Sequence, residues 1–134
     1  EPVHFVPYLF NQLDAPRLTQ YWTRHICSHA YKNKVEGLCG NEDVGQMSAW
    51  YVLSAAGIHQ ACPGDTRYEI TSPVFNKIVF HLPNGKTFTI MAHNNSPENV
   101  YIGSMLLNGK PLRRHYILHS EIADGGVLEM NMTE

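Results

Sequence analysis

The chain is predicted to be α+β, with helices first and strands second, and three observations predict it. Apolar residues recur at helical spacing between Val3 and Ala56, short β-prone runs take over beyond Tyr68, and the two patterns do not alternate. Without alternation there is no βαβ unit, so the strands are expected to pair antiparallel. Residues 1–60 read as a helical segment and residues 61–134 as a β-rich lobe.

Pro2 stands at a plausible first helical position, and Val3, Val6, Leu9, Phe10 and Leu13 follow at amphipathic spacing. Pro7 lies early enough to remove one hydrogen bond or add a slight kink, and no more. Asp14-Ala15-Pro16 punctuates this pattern with a capping candidate and a proline suited to a first turn. Leu18, Tyr21, Trp22, Ile26 and Ala30 then carry a second helix towards Tyr31, and the short interval predicts an antiparallel neighbour. Asn33 to Gly40 is a loop, held down by Leu38 and Cys39. Val44, Met47, Tyr51 and Ser54, with Trp50 and Leu53 beside them, form a third helix that Gly57 stops. That helix also carries Ala49, Val52, Ala55 and Ala56, so it is apolar around most of its girth. Such a composition belongs to a helix enclosed in a larger helical assembly. Self-association through the exposed helical face is the expected consequence for the isolated chain.

Ala61-Cys62-Pro63-Gly64-Asp65 ends the helical region. Ile78-Val79-Phe80 and Thr87-Phe88-Thr89-Ile90 flank Asn84-Gly85, the strongest hairpin signal in the chain. Val100 to Leu107 runs into a second such turn at Asn108-Gly109 and leads towards Leu112. Tyr116-Ile117-Leu118 and Val127-Leu128-Glu129-Met130 follow, with Gly125-Gly126 between them.

Composition excludes several classes. Hydrophobic residues at 43% and charged residues at 16% describe an ordinary globular chain. A net charge of −2 with no basic run leaves no electrostatic footprint for nucleic acid. No apolar run approaches the ~20 residues of a membrane-spanning helix, and no signal-like segment is visible. Cys27, Cys39 and Cys62 fit neither a zinc motif nor C-x-x-C, so free thiols are expected, with a single disulfide as the alternative. His25 and His29 share a helix face, but no Glu follows His25, which excludes the metalloprotease motif. His119-Ser120-Glu121 is contiguous in an extended or turn segment, whereas a catalytic triad is defined by spatial geometry. Asn94-Asn95-Ser96 and Asn131-Met132-Thr133 fit the glycosylation acceptor pattern, with turn chemistry the preferred reading of the first.

Gly40-Asn41-Glu42-Asp43-Val44-Gly45-Gln46 is the strongest candidate for chemistry. It sets two carboxylates and an amide on a glycine-flanked turn ahead of the third helix. Asp43 and Gln46 have capping-box spacing, so the structural reading is a helix cap. The functional reading is acid/base work, with the helix behind the turn holding a carboxylate outward. Inverting cleavage of a glycosidic bond requires two carboxyl groups roughly 6.5–9.5 Å apart with water between them. Adjacent Glu42 and Asp43 project differently, so one of them would need a partner from elsewhere.

The segment from Gly37 through Gly40-Asn41-Glu42-Asp43-Val44-Gly45-Gln46-Met47-Ser48-Ala49-Trp50 to Val52 closely resembles the signature of glycoside hydrolase family 92, the calcium-dependent α-mannosidases. Glu1-Pro2-Val3-His4, Cys62-Pro63-Gly64, Asn84-Gly85-Lys86-Thr87-Phe88, Leu107-Asn108-Gly109-Lys110 and His119-Ser120-Glu121-Ile122 extend the resemblance over essentially the whole chain. The resemblance implies an exo-acting, inverting enzyme that removes terminal α-1,2- or α-1,3-linked mannose from N-glycan or mannan type glycans. It also implies that residues 1–60 end an (α/α)6 barrel, with the β-rich lobe following. By motif match Asp43 is the general base, and Asn41 and Glu42 are supporting residues. Glu1 and His4 look like parts of a sugar- or metal-facing motif. Calcium is implied as cofactor, with its ligands not placed. The family's acid is a glutamate upstream of Glu1, so the chain reads as a C-terminal fragment, inactive alone. A bacterial periplasmic, cell-surface or secreted location is implied. The alternative for the isolated chain is a non-catalytic carbohydrate- or partner-binding module.

Overall fold

A computed structural model describes residues 3–134, so the expectation that Pro2 opens the first helix lies outside the described residues. The predicted first helix is broken into pieces. Val6–Tyr8 forms a 3-10 turn and α1 spans only Leu9–Gln12. Pro7 lies inside that turn and has no N–H to donate to a longer helix. Asp14 then turns the chain at φ 55, a left-handed conformation that Asp tolerates better than most residues. Ala15 therefore takes the N-cap position of α2, Pro16–His29, and Asp14 is not its cap.

The inward face of α2 is the reverse of the one its apolar periodicity suggests. Thr19, Gln20, Thr23, Arg24 and Cys27 are buried, whereas Leu18, Tyr21 and Trp22 are 42–44% exposed. Polar groups can occupy that interior because most are satisfied there. Thr23 donates to Thr19 O at 2.7 Å, and Gln20 Oε1 accepts the Ile102 amide at 2.9 Å. Arg24 donates from Nε to Ser72 Oγ at 3.2 Å, from Nη1 to Ser96 O at 3.3 Å, and from Nη2 to Asn95 Oδ1 at 2.6 Å. Nη2 also donates to Pro73 O. One planar guanidinium thereby joins α2 to two connections of the β lobe.

The third helix, α3, spans Gln46–Ala56 and stops as expected at Gly57, whose φ of 102 places it in the left-handed region. Trp50, Ala55, Tyr8 and Cys27 form the core of the helical part. Val52 remains 59% exposed on the outward side of α3.

The strands are β1 Ile58–His59, β2 Arg67–Ile70, β3 Lys77–His81, β4 Thr87–His93, β5 Tyr101–Leu107, β6 Lys110–Pro111, β7 Tyr116–Leu118 and β8 Gly126–Thr133. They make a three-stranded sheet ordered β1-β2-β7 and a five-stranded sheet ordered β3-β4-β8-β5-β6. Both Asn-Gly turns close hairpins, β3–β4 and β5–β6, with Gly85 at φ 81 and Gly109 at φ 76. The α+β class stands, with one refinement to the antiparallel expectation. The last strand, β8, inserts between β4 and β5, antiparallel to β5 but parallel to β4. The segment before it is helical as well. His119-Ser120-Glu121 opens α4, His119–Ala123, and is not extended. Glu121 there accepts the Leu118 amide and pairs with Arg114 at 2.5 Å. Alternate residues of β4 and β8 (Phe88, Ile90, Leu128, Met130) face Ile70 and Ile117 in one apolar core. A Cβ at Gly103, beside the β5 bulge, would meet Thr133 Cγ2 at 2.8 Å, so a larger residue there would force Thr133 to shift.

All three cysteines are free thiols, Cys27 buried and Cys39 and Cys62 exposed. Burial pushes the Cys27 thiol up to about 12. The first glycosylation-type triplet is turn chemistry, with Asn94 at φ 58 and its amide donating to Asn131 Oδ1 at 2.8 Å.

Replacing Arg24 by Ala leaves several carbonyl and amide acceptors without their donor. It should lower unfolding stability by on the order of 3 kcal/mol in urea denaturation. Arg24→Lys keeps the charge but not the fork and should fall between the two. A stability loss within error for Arg24→Ala would contradict this account of how α2 is held.

Candidate functional site

The stretch expected to cap α3 through Asp43 does so through its neighbour. The chain passes through two successive left-handed residues, Val44 at φ 54, ψ 27 and Gly45 at φ 77, ψ 14, and α3 begins only at Gln46. The N-cap is therefore Gly45, which has no side chain to offer, and the Asp43–Gln46 capping box is not formed. Glu42 supplies the cap from outside the helix. Its Oε1 accepts the Ser48 amide at 3.2 Å and its Oε2 accepts the Ser48 hydroxyl at 3.0 Å. A carboxylate there also complements the positive end of α3. Asp43 opens the single 3-10 turn Asp43–Gly45 and is exposed at the head of α3, with Asn41 exposed just before it. Left-handed backbone at a β-branched residue costs about 1–2 kcal/mol, so the turn at Val44 is strained.

Trp50 is the platform beneath this turn. It is 1% exposed, and its indole N–H donates to His4 O at 3.0 Å. The His4 ring stacks on it with centroids 5.9 Å apart, and Tyr31 lies nearly parallel to it at 5.7 Å. Gln46 Nε2 donates to His4 Nδ1 at 3.2 Å, and His4 Nε2 lies 3.1 Å from Met47 Sδ. An imidazole that accepts at Nδ1 is neutral, and burial lowers its pKa in the same sense. Tyr31 donates to Met47 O at 3.0 Å. His4, Tyr31, Met47 and Trp50, with Cys39 and Gly40, line a pocket of about 210 Å³ against the turn. His4 is thus brought to the turn, while Glu1 lies outside the described residues. The sequence reading missed Gln46 and Tyr31. Gln46 stood inside the motif, and only a contact 42 residues away in sequence reveals its partner.

Behind Trp50, His59 stacks on Tyr8 at 4.7 Å, and Tyr8 OH lies 2.5 Å from Ser54 Oγ. His59 Nδ1 has no hydrogen-bond partner among the described residues, and burial lowers its pKa to about 4.

No group of three or more His, Cys, Asp or Glu side chains that could hold a metal exists among the described residues. His25 and His29 stack on each other at 4.2 Å, and His29 Nδ1 contacts the His25 carbonyl. Calcium takes 6–8 oxygen ligands. The turn offers few, and both Glu42 oxygens already serve Ser48. These residues do not make a calcium site by themselves.

Comparison with known proteins fixes the class first: the relatives are glycoside hydrolases. The chain belongs to glycosyl hydrolase family 92, whose catalytic-domain profile matches residues 1–134. It is similar to the family 92 α-mannosidase BT3965 of Bacteroides thetaiotaomicron, solved in complex with mannoimidazole. The two are 38% identical, with a TM-score of 0.96 over 99% of this chain and 18% of that one. It is also similar to the inverting mannosidase BT2199 of the same species, at 42% identity and TM-score 0.93 over 99% and 18%. An uncharacterized secreted glycosidase of Arthroderma benhamiae is 30% identical over 98% of this chain and 17% of its own length. The chain thus spans less than a fifth of these relatives.

Two measurements check this geometry. Glu42→Ala should destabilise α3 by about 1 kcal/mol and speed hydrogen exchange at the Ser48 amide; unchanged protection at Ser48 would contradict the cap. For His59, the folded pKa of about 4 lies below the unfolded value near 6.5. Its contribution is therefore fully present above about pH 6.5 and is lost as pH falls towards 4, on the order of 3 kcal/mol in all. His4 and His115, also lowered by burial, act in the same direction. Urea unfolding at about pH 7 and about pH 4 should show this slope, flattened in His59→Gln.

Proposed function

We propose that this chain supplies the general base, Asp43, of an exo-acting inverting α-mannosidase. The substrate is a terminal α-1,2- or α-1,3-linked mannose of an N-glycan or mannan type glycan. Family membership and two mannosidase neighbours support the substrate class, and the name of one of those neighbours supports inversion. The observation that carries the assignment to Asp43 is its place: it opens the 3-10 turn at the head of α3 and is exposed there, above the Trp50 platform, while the oxygens of Glu42 accept from Ser48.

In this reading Asp43 accepts a proton from a water molecule as that water attacks the anomeric carbon. A carboxylic acid on the opposite side of the sugar protonates the leaving oxygen. By the family resemblance, that acid is a glutamate contributed by another part of the parent protein. Asn41 hydrogen-bonds near the attacking water, and neutral His4 faces the sugar; a sugar- or metal-facing role for Glu1 rests on the family resemblance alone. Rigid placement of the base is what the strained turn and the Trp50 platform contribute. An extracytoplasmic setting is part of the proposal, in keeping with the secreted relative. No helix among the described residues is long and apolar enough to cross a membrane.

In the parent protein, Asp43→Asn keeps the side chain's size and removes its basicity. Turnover of an α-mannoside should fall by at least about 100-fold with the unfolding midpoint unchanged. Near-normal turnover would refute the assignment.

A further inference from the structure

A cleft of about 850 Å³ separates α2 from the residue 94–101 connection into β5, away from the Asp43 turn. Its size suits a small-molecule ligand. One wall is a stripe of stacked rings along α2. Tyr21 and His25 are 15° from parallel at 5.9 Å, and His25 and His29 are 21° from parallel at 4.2 Å. The opposite wall carries Tyr101, whose ring holds the Arg17 guanidinium 3.6 Å from its centroid.

This wall is pre-organised. Asn95 is held by Arg24 and donates to Val74 O at 3.2 Å. Ser96 Oγ receives the amides of Glu98 and Asn99 and donates to Glu98 Oε2 at 2.9 Å. Binding such a wall therefore carries little cost of ordering a loop.

The lining also indicates the ligand's charge. Arg24, the permanent cation among the lining side chains, already donates to four neutral acceptors, and Arg17 behind the lining lies on the Tyr101 ring. Glu98 and Glu134 balance these two cations, so the cleft has no surplus positive charge to recruit an anion. Aromatic faces suit a ring with an apolar C–H face, and carboxylate and hydroxyl groups suit its hydroxyls. We propose that this cleft is a saccharide-binding site. A pyranose stacks on Tyr21 and His25, and its hydroxyls are hydrogen-bonded by Glu98 and Ser28. The choice of a mannose-containing ligand rests on the function proposed above; the geometry of the cleft does not.

The test is a titration of the isotopically labelled 134-residue chain with α-1,2-mannobiose, following backbone amide shifts. Perturbations should cluster on residues 21–29 and 95–101. Tyr21→Ala and Glu98→Gln should each weaken binding by about tenfold while leaving circular dichroism unchanged, because both side chains are exposed. Absence of perturbation, or perturbation confined to residues 40–47, overturns the cleft. So does tenfold weakening by neither variant. Because the readout is which amides move, failure of the cleft leaves the role of Asp43 intact. Normal turnover by Asp43→Asn would in turn leave the mapped cleft intact.

Discussion

The docking of the helices onto the β lobe depends on the buried guanidinium of Arg24. Its acceptors come from two connections far apart in sequence, Ser72-Pro73 and Asn95-Ser96. A planar donor set of fixed shape requires all of them in place together, so it sets where α2 lies against both loops. Gln20 adds a second tie one turn earlier by accepting the Ile102 amide. Apolar burial alone tolerates sliding, whereas buried polar groups penalise every misplacement. The polar inner face of α2 is thus a device for register. It has two consequences: the apolar stripe of Leu18 and Trp22 is turned outward, and the two loops are held where they can form the wall of a cleft.

The Asp43 turn relies on a similar division between strain and support. Val44 holds a backbone conformation that β-branched residues avoid. Contacts around it keep it there: the Glu42 cap on one side, and on the other the Trp50 platform, tied to His4 through the indole N–H and faced by the Tyr31 ring. A carboxylate on such a turn is aimed by its surroundings and not by its own helix. Of the two adjacent acids, it is Glu42 that accepts from Ser48 at the start of α3.

Much of the fold was legible in the residues themselves. Asn84-Gly85 and Asn108-Gly109 specified hairpins because Gly85, Asn108 and Gly109 take positive φ at little cost, and Gly57 ended α3 for the same reason. Alternation placed Phe88 and Ile90, then Leu128 and Met130, inside. Less was legible where partners are distant. The insertion of β8 beside β4 in parallel depends on pairing across residues 94–125, and no local pattern announces it. The candidate site was half legible. The motif singled out Asn41, Glu42 and Asp43, and the separate Glu1–His4 segment singled out His4, but neither revealed which acid caps the helix or that Gln46 holds His4.

The sequence by itself determined the class of fold, the local turns, the family and the stretch that carries the carboxylates. All of these follow from short-range stereochemistry and contiguous residue types. Only the tertiary structure decided which face of α2 is buried, which of two adjacent acids serves the helix, and how the strands are ordered. Periodicity states which side chains share a face but not what lies opposite. For α2 the opposite surface offered carbonyl and amide acceptors, so Arg24 went in and Trp22 stayed out. For Asp43 and Glu42 the decision lay in two left-handed residues that delay α3 until Gln46 and bring Ser48 within reach of Glu42.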